Sequence, residues 1–500
     1  MVEGLLQQAE RVRVESTLGL DSVAQTAQGQ YFTPGGAAAL IADLPKLPRD
    51  SLLKVLDPGA GSGILTAAVV DRVCRERYGG KVEVTAVECD QSLLPALQRT
   101  AEMCEQWGLD HHTKVTVKVV CGDVVLLQTG LDAELGLDFD LVVMNPPYKK
   151  LGSSSWQRKA LEPLGWESPN LYSAFLALGV DSMRDGGQLV AITPRSFFNG
   201  PYFSQFRKRL LRQVTFNRLH TYESRSTVFA DTGVLQENVA FSATKGGLHG
   251  DVVITSSHGH IDEITSRVIT YGELVLPDDP EEFIRITTDD ADDDAVHRFA
   301  SLPASLLALD LKVSTGKVVD FRARDNLHDS PQPGSLPLVY PGNLRNGQVE
   351  WPRQIGKAQA FCLLGDHDRK ALLPYGYYVL VKRFSSKEER RRVVAAIWDP
   401  TRYQAKEVAF ENHLNVFHAG GVGLDRELAW GLCLWLNSSV VDRYFRTFSG
   451  HTQVNATDLR SLSYPDEATL RRLGRTVDFL PAQDDLDQLI EDHAWRQVAA

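Results

Sequence analysis

Ten residues in the first third of the chain read Phe139-Asp140-Leu141-Val142-Val143-Met144-Asn145-Pro146-Pro147-Tyr148. An apolar, strand-like run ends in Asn-Pro-Pro-Tyr. The two prolines fix φ twice and withhold two amide donors. The Asn145 side-chain oxygen and the Pro146 carbonyl are then free to accept from one external N–H2 group. Two acceptors on a planar amine draw its lone pair out of conjugation and aim it at an electrophile, while Tyr148 offers a flat face for a ring. The same four residues could be only a rigid turn. Placed after the fourth of a series of apolar strands, they point to group transfer onto an amino nitrogen.

Such chemistry needs a scaffold that brings an electrophile to the strand end. The runs 52–57, 82–88, 115–120, 139–145 and 188–194 are short and rich in β-branched residues. Helical stretches at Ile64–Arg77, Gln91–Trp107, Leu171–Met183 and Tyr202–Arg212 alternate with them. This alternation predicts a doubly wound, mostly parallel α/β sheet covered on both faces, with ligands at the carboxyl ends of its strands. The polar residues gather there. After the first strand comes Asp57-Pro58-Gly59-Ala60-Gly61-Ser62-Gly63, a glycine turn before a helix, where backbone can approach a ligand closely and the helix N-terminus favours anionic groups. Glu88 ends the second strand, placed for a ribose diol. Asp123 and Val124 follow the third. A tight turn or a solvated acid would account for any one of these alone; their order along the sheet is the signal.

The chain has 500 residues, 43% hydrophobic and 23% charged, which predicts more than one domain with buried cores. Charges run through the first fifteen residues and no apolar run approaches a membrane span, so neither export nor insertion is expected. Cys74, Cys89, Cys104, Cys121, Cys362 and Cys433 show no zinc-like or disulfide pattern. A reducing, cytoplasmic setting is expected, with the four cysteines of the strand–helix region as small buried hydrophobes. The net charge of −11 is concentrated. Nine acids against Arg285 lie between Asp278 and Asp294, and five more between Asp484 and Asp492. A basic surface elsewhere, and so a nucleic-acid partner, stays open.

Taken together, Asp-Pro-Gly-Ala-Gly-Ser-Gly, Glu88, Gly122-Asp123 and Asn-Pro-Pro-Tyr resemble the motifs of class I S-adenosylmethionine-dependent methyltransferases, over roughly residues 25–245. Asn-Pro-Pro-Tyr resembles the catalytic motif of those acting on amino groups of adenine, certain guanines or protein glutamine. Gln30-Tyr31-Phe32-Thr33-Pro34 resembles the cofactor-covering segment of DNA adenine-N6 methyltransferases. The resemblance implies S-adenosylmethionine as cofactor, held by Tyr31, Thr33, Asp57, Pro58, Gly59, Gly61, Gly63, Glu88, Asp123, Val124 and Asn145. In it the glycine loop wraps the methionine part, Asp123 meets the adenine amino group, Val124 packs on the ring, and Thr33, as a helix cap, bonds the carboxylate. It also implies catalysis by Asn145, Pro146, Pro147 and Tyr148 on an adenine flipped out of double-stranded DNA. Tyr148 stacks on the base, with Phe229 as candidate for the opposite side. Neither a metal nor a covalent intermediate is required. Glutamine or RNA methylation and a non-catalytic DNA-binding subunit are the alternatives.

The second half carries VSTGKVVDFR (313–322), YPGNLRNGQVEWP (340–352), FENHLNVFH (410–418) and FSGHTQVNATDLRSL (448–462), which look like restriction–modification methylases of the BsuBI/PstI kind. Lys382, Arg383, Lys387, Arg390, Arg391 and Arg392 outweigh Glu388 and Glu389 by four charges, as phosphate contacts need, although a solvated helix face would read the same way. Arg322, Arg324, Asn343, Arg345, Lys382, Arg383, His451, Gln453 and Asn455 are candidate DNA contacts. The expected division is an N-terminal extension (1–24), a catalytic domain (25–245), an acidic connector (246–300) and a mixed α+β target-recognition domain (301–500). Any cognate endonuclease is expected to be a separate chain.

Overall fold

The computed structural model describes residues 3–18, 29–48, 50–129, 135–222, 237–257, 264–385, 388–450 and 452–495. Phe229, Lys387 and His451 lie outside them. The chain forms two compact units, 1–288 and 289–500.

The first unit is built on a nine-stranded sheet in the order β3-β2-β1-β4-β5-β7-β6-β8-β9. Its strands are β1 Leu52–Pro58, β2 Lys81–Glu88, β3 Lys114–Cys121, β4 Phe139–Met144, β5 Met183–Pro194, β6 Val214–Tyr222, β7 Asn238–Lys245, β8 Asp251–Ser257 and β9 Thr265–Thr270. Strands β3, β2, β1, β4 and β5 are parallel, while β7 enters antiparallel between β5 and β6. Chain order reverses across the β1–β4 neighbours, the switch point where such sheets open a crevice. β4 shows why the strands read as unbroken apolar runs. Val142 and Met144 enter the core on one face, Leu141 and Val143 that on the other. Both faces are covered, and after Asp140, which accepts the Lys54 amide and pairs with Arg184, every residue to the strand end is apolar.

Three expectations shift. The helix drawn at Gln91–Trp107 runs from Leu94 to Asp110, because the Asp90 carboxylate takes the Ser92 amide and turns the chain first. Tyr202 belongs to a 3-10 turn, Pro201–Phe203, and the helix begins at Ser204. The described part of the expected extension is not a mere appendage: helix Leu5–Thr17 packs Leu5 and Ala9 into the core, and Glu10 accepts the Gly35 amide at the start of helix Gly35–Asp43.

The described residues of the expected connector, 246–300, are likewise structured. β8 pairs with β6 and extends the sheet, and Arg285 lies buried against Asp279 at 2.7 Å. Asp289 caps helix Asp290–Ala300 by accepting the Asp292 amide, and Arg443 pairs with both acids at 2.7 and 2.9 Å. Acids at a helix N-terminus complement its dipole, so the charge run marks a helix start rather than a linker.

The second unit carries two sheets followed by helices. The larger orders Lys312–Thr315, Leu414–His418, Tyr378–Lys382, Ala395–Trp398, Gln348–Val349 and Leu344–Arg345; five short strands make the other. Helices Arg426–Leu436, Ser439–Phe448, Ala456–Arg460, Glu467–Thr476 and Gln483–Ile490 close it as a mixed α+β unit.

Candidate active site

The glycine loop leaves β1 and is sewn to the tip of β2. The Gly59 and Ala60 amides both donate to the Val87 carbonyl at 2.8 Å, and the Gly61 amide donates to Glu88 Oε2 at 2.7 Å. Gly59, Gly61 and Gly63 hold φ of 79°, 57° and 88°, a region that favours glycine. A Cβ at Gly59 would lie 3.1 Å from the Phe175 ring, and one at Gly61 3.5 Å from Phe32. The loop is therefore a fixed cradle.

Beneath it Asp57 is buried. Thr66 Oγ1 donates to Asp57 Oδ2 at 2.8 Å, while Oδ1 has no hydrogen-bond partner among the described residues. Burial pushes this carboxyl up to about 7; the Thr66 bonds lower it and the Glu88 charge raises it. Ser62 Oγ is buried without a partner as well. Two orphaned buried oxygens beside a glycine cradle fit a ligand bearing hydrogen-bond donors, an ammonium among them. Glu88 Oε1 accepts the Asp90 amide at 2.8 Å, and Asp123 Oδ1 accepts that of Val125 at 2.8 Å, which orients both acids at their strand tips. Val124 is buried next to Asp123. Cys74 and Cys104 are buried as expected, but Cys89, just after β2, and Cys121, at the end of β3, are exposed.

Asn145 follows β4, one strand over from β1. Its Nδ2 donates to the Tyr31 carbonyl at 2.7 Å and to Thr33 Oγ1 at 2.9 Å. The Tyr31 carbonyl can only accept, which fixes which end of the amide is nitrogen. Oδ1 is left on the other side, where it accepts from the Tyr148 hydroxyl at 3.1 Å. Thr33 is thus not the cap of its helix. Pro34 occupies the N-cap position and Glu10 takes the first amide, so the Thr33 oxygen serves Asn145. Its own O–H remains a donor.

Tyr148 is buried. Its ring lies 5.3 Å from Tyr31, tilted, and 6.3 Å edge-on to Tyr172. Burial drives its phenol well above the ordinary tyrosine range. The open stacking face expected from sequence is partly covered by these two rings in the ligand-free chain. The Tyr148 amide donates to the Gly29 carbonyl at 2.9 Å, and a Cβ at Gly29 would collide with the Lys149 amide at 2.7 Å. Thr66, Phe175 and Gly29 went unrecognised in the sequence, since none stands in a motif of its own. A buried ion pair was missed too: Arg195, after β5, meets Glu237, before β7, at 3.0 Å. Only the register of an antiparallel strand brings these two together.

In the second unit, the candidates separate. Arg322, Arg324 and Arg345 are exposed, Arg345 on a hairpin turned by Asn346-Gly347 with φ of 44° and 75°. Lys382 and Arg383 are half-buried, and Phe384 bridges to Gln453, so two segments seventy residues apart in sequence lie side by side. Asn343 is corrected: it is fully buried, donates to the Glu350 carbonyl and Gln359 Oε1, and accepts the Tyr340 amide. Asn455 occupies a helix N-cap, its amide held by Asp458 at 2.8 Å. Arg392 is buried too, bonded to Ser385 and Ser449 over the Phe445 ring. Polar types that suit base edges suit turns and caps equally well.

A family model described as Eco57I restriction-modification methylase matches residues 111–229. The Type II methyltransferase M.BsuBI of Bacillus subtilis is 40% identical over 457 residues, 90% of this chain and 90% of that protein. The Type II methyltransferase M.PstI of Providencia stuartii is 36% identical over 478 residues, 94% of this chain and 93% of that protein. Among solved structures, the Type IIL restriction-modification enzyme MmeI in complex with DNA aligns over 98% of this chain and 73% of that one. Its TM-score is 0.55 and its identity 12%, a likeness of fold.

Proposed function

The chain belongs to the family of Type II restriction–modification DNA methyltransferases, whose cofactor is S-adenosylmethionine, and within that family we propose that it methylates N6 of adenine at one site in double-stranded DNA. The observation that carries this reading is the orientation of the Asn145 amide, whose nitrogen is held by Tyr31 and Thr33 so that its oxygen is the acceptor on the Tyr148 side.

Adenine N6 is out of reach inside a duplex, so the base leaves the stack. Asn145 Oδ1 and the Pro146 carbonyl accept its two N–H bonds, and Pro147 keeps the turn rigid. The amine displaces the Tyr148 hydroxyl from Asn145 Oδ1, and the Tyr148 ring turns toward the base. Phe229 is the proposed partner on the base's other face. When bound, S-adenosylmethionine supplies an electrophilic methyl carbon. Asp57 and Ser62 meet its ammonium-bearing part on the glycine loop at Pro58, Gly59, Gly61 and Gly63. Glu88 takes the ribose, Asp123 and Val124 the adenine ring, and Tyr31 and Thr33 cover the carboxylate. The chain's share of catalysis is alignment and hydrogen-bond acceptance.

The second unit is the proposed target reader, with Arg322, Arg324, Arg345, Lys382, Arg383, His451, Gln453 and Asn455 as contacts; a cognate endonuclease is a separate chain. Nucleoside analysis by mass spectrometry of DNA treated with the purified chain tests the reading. N6-methyladenine supports it; methylation at cytosine, or none, overturns it.

A further inference from the structure

We propose that Lys149, Lys150 and Tyr202 form the surface by which the catalytic unit grips duplex DNA around the extruded nucleotide; the proposal rests on the DNA-adenine reading above. Loops after β4 and β5 leave the sheet at the same edge, because the two strands are neighbours and parallel. Asn145 is in the first loop, Tyr202 in the second. Lys149 and Lys150 follow Tyr148 directly, so their backbone lies within about 17 Å of Asn145 even if fully extended. That segment is locked: Leu171 donates to the Lys149 carbonyl at 2.7 Å, Leu151 to that of Pro169 at 2.9 Å, and Lys150 bridges Asn170. Both lysines are exposed, and neither pairs with a carboxylate among the described residues. A nucleotide whose amino group meets Asn145 leaves its sugar and phosphates at the pocket mouth, where two uncompensated ammonium groups suit phosphate oxygens.

Tyr202 is 86% exposed, unusual for a large ring. Its turn is nonetheless anchored. Phe203 stacks on Tyr172 at 5.5 Å, Tyr172 packs on Tyr148, and the Phe203 amide donates to the Gly200 carbonyl at 3.0 Å. A ring held out in solvent on a fixed base, connected by packed rings to the catalytic tyrosine, suits stacking on a DNA base at the place where flipping breaks the stack.

The test uses the full-length chain on two duplexes, one carrying the methylated motif with 2-aminopurine at the target position and one of random sequence. Lys149→Gln/Lys150→Gln should bind both duplexes more weakly and lower the slope of log affinity against log salt by about 1.8, at roughly 0.9 per phosphate lost. Tyr202→Ala should keep the slope but lose more than half of the 2-aminopurine fluorescence rise. S-adenosylmethionine titration at wild-type affinity checks that both variants are folded. An unchanged slope overturns the lysine contacts, and an unchanged fluorescence rise overturns the role of Tyr202. A wild-type chain that neither binds nor methylates DNA instead overturns the reading beneath them.

Discussion

Asn145 and Thr33 stand 112 residues apart in sequence, yet the Asn145 amide nitrogen donates to the Thr33 hydroxyl oxygen at 2.9 Å. The segment before the glycine loop thereby takes part in setting the amide proposed to be catalytic. Thr33→Val removes that acceptor while keeping the shape of the side chain. A hydrogen bond of this kind contributes about 1 kcal/mol, so turnover should fall about fivefold or more, and Thr33→Ser should restore most of it. Steady-state assays of methyl transfer, with cofactor affinity measured separately, distinguish a loss in kcat from a loss in cofactor binding.

Asp57 gives the chain a pH dependence. Its carboxyl, raised from 3.8 to about 7, favours the proton in the folded state. Its contribution to stability is present below about 4 and is lost as pH rises through 7. The ligand-free chain should therefore lose melting temperature between pH 5 and 8, and Asp57→Asn should flatten that decline. A cofactor ammonium favours the ionised form, so S-adenosylmethionine affinity should rise with pH up to about 7. Calorimetric titration at pH 6 and pH 8 reads the difference, and Asp57→Asn should abolish it.

The Tyr148 hydroxyl and ring have separable roles. Tyr148→Phe removes only the O–H that occupies Asn145 Oδ1 and should leave turnover within about threefold. Tyr148→Ala removes a stacking surface of about 1–3 kcal/mol, and single-turnover rates should fall about 10- to 100-fold. Equal losses in both variants would show that the hydroxyl, rather than the ring, is what matters.

The Arg195–Glu237 pair is nearly as buried as the core around it, with side chains 6% and 8% exposed. Breaking a buried pair of this kind by removing one side costs about 3–5 kcal/mol. Urea unfolding of Glu237→Ala should show a loss of that size. A loss below 1 kcal/mol would mean that this pair contributes little to holding β5 and β7 together.

How much of this was legible depended on whether the information was local. β4 could be read because both of its faces are buried and its last four residues are chemically specific. Glu88 and Asp123 could be placed because a parallel sheet puts every strand's carboxyl end on one edge. Thr66 beneath Asp57, Glu10 capping Gly35, and Glu237 beside Arg195 depend on tertiary register, and no spacing rule announces them. The acidic run misled because carboxylates at helix starts and in buried pairs look in sequence like those of a linker. Asn343 misled for the same reason, since an amide that can read a base can also tie a turn.

The central claim, N6 methylation of adenine through Asn145, is tested most directly by single-molecule sequencing, with detection of modified bases, of plasmid from cells expressing either the natural chain or Asn145→Ala. The account predicts N6-methyladenine at one short motif with the natural chain and a loss of at least about 100-fold with the variant, while the purified variant still binds S-adenosylmethionine. Methylation unaltered in Asn145→Ala, or confined to another base, would contradict it.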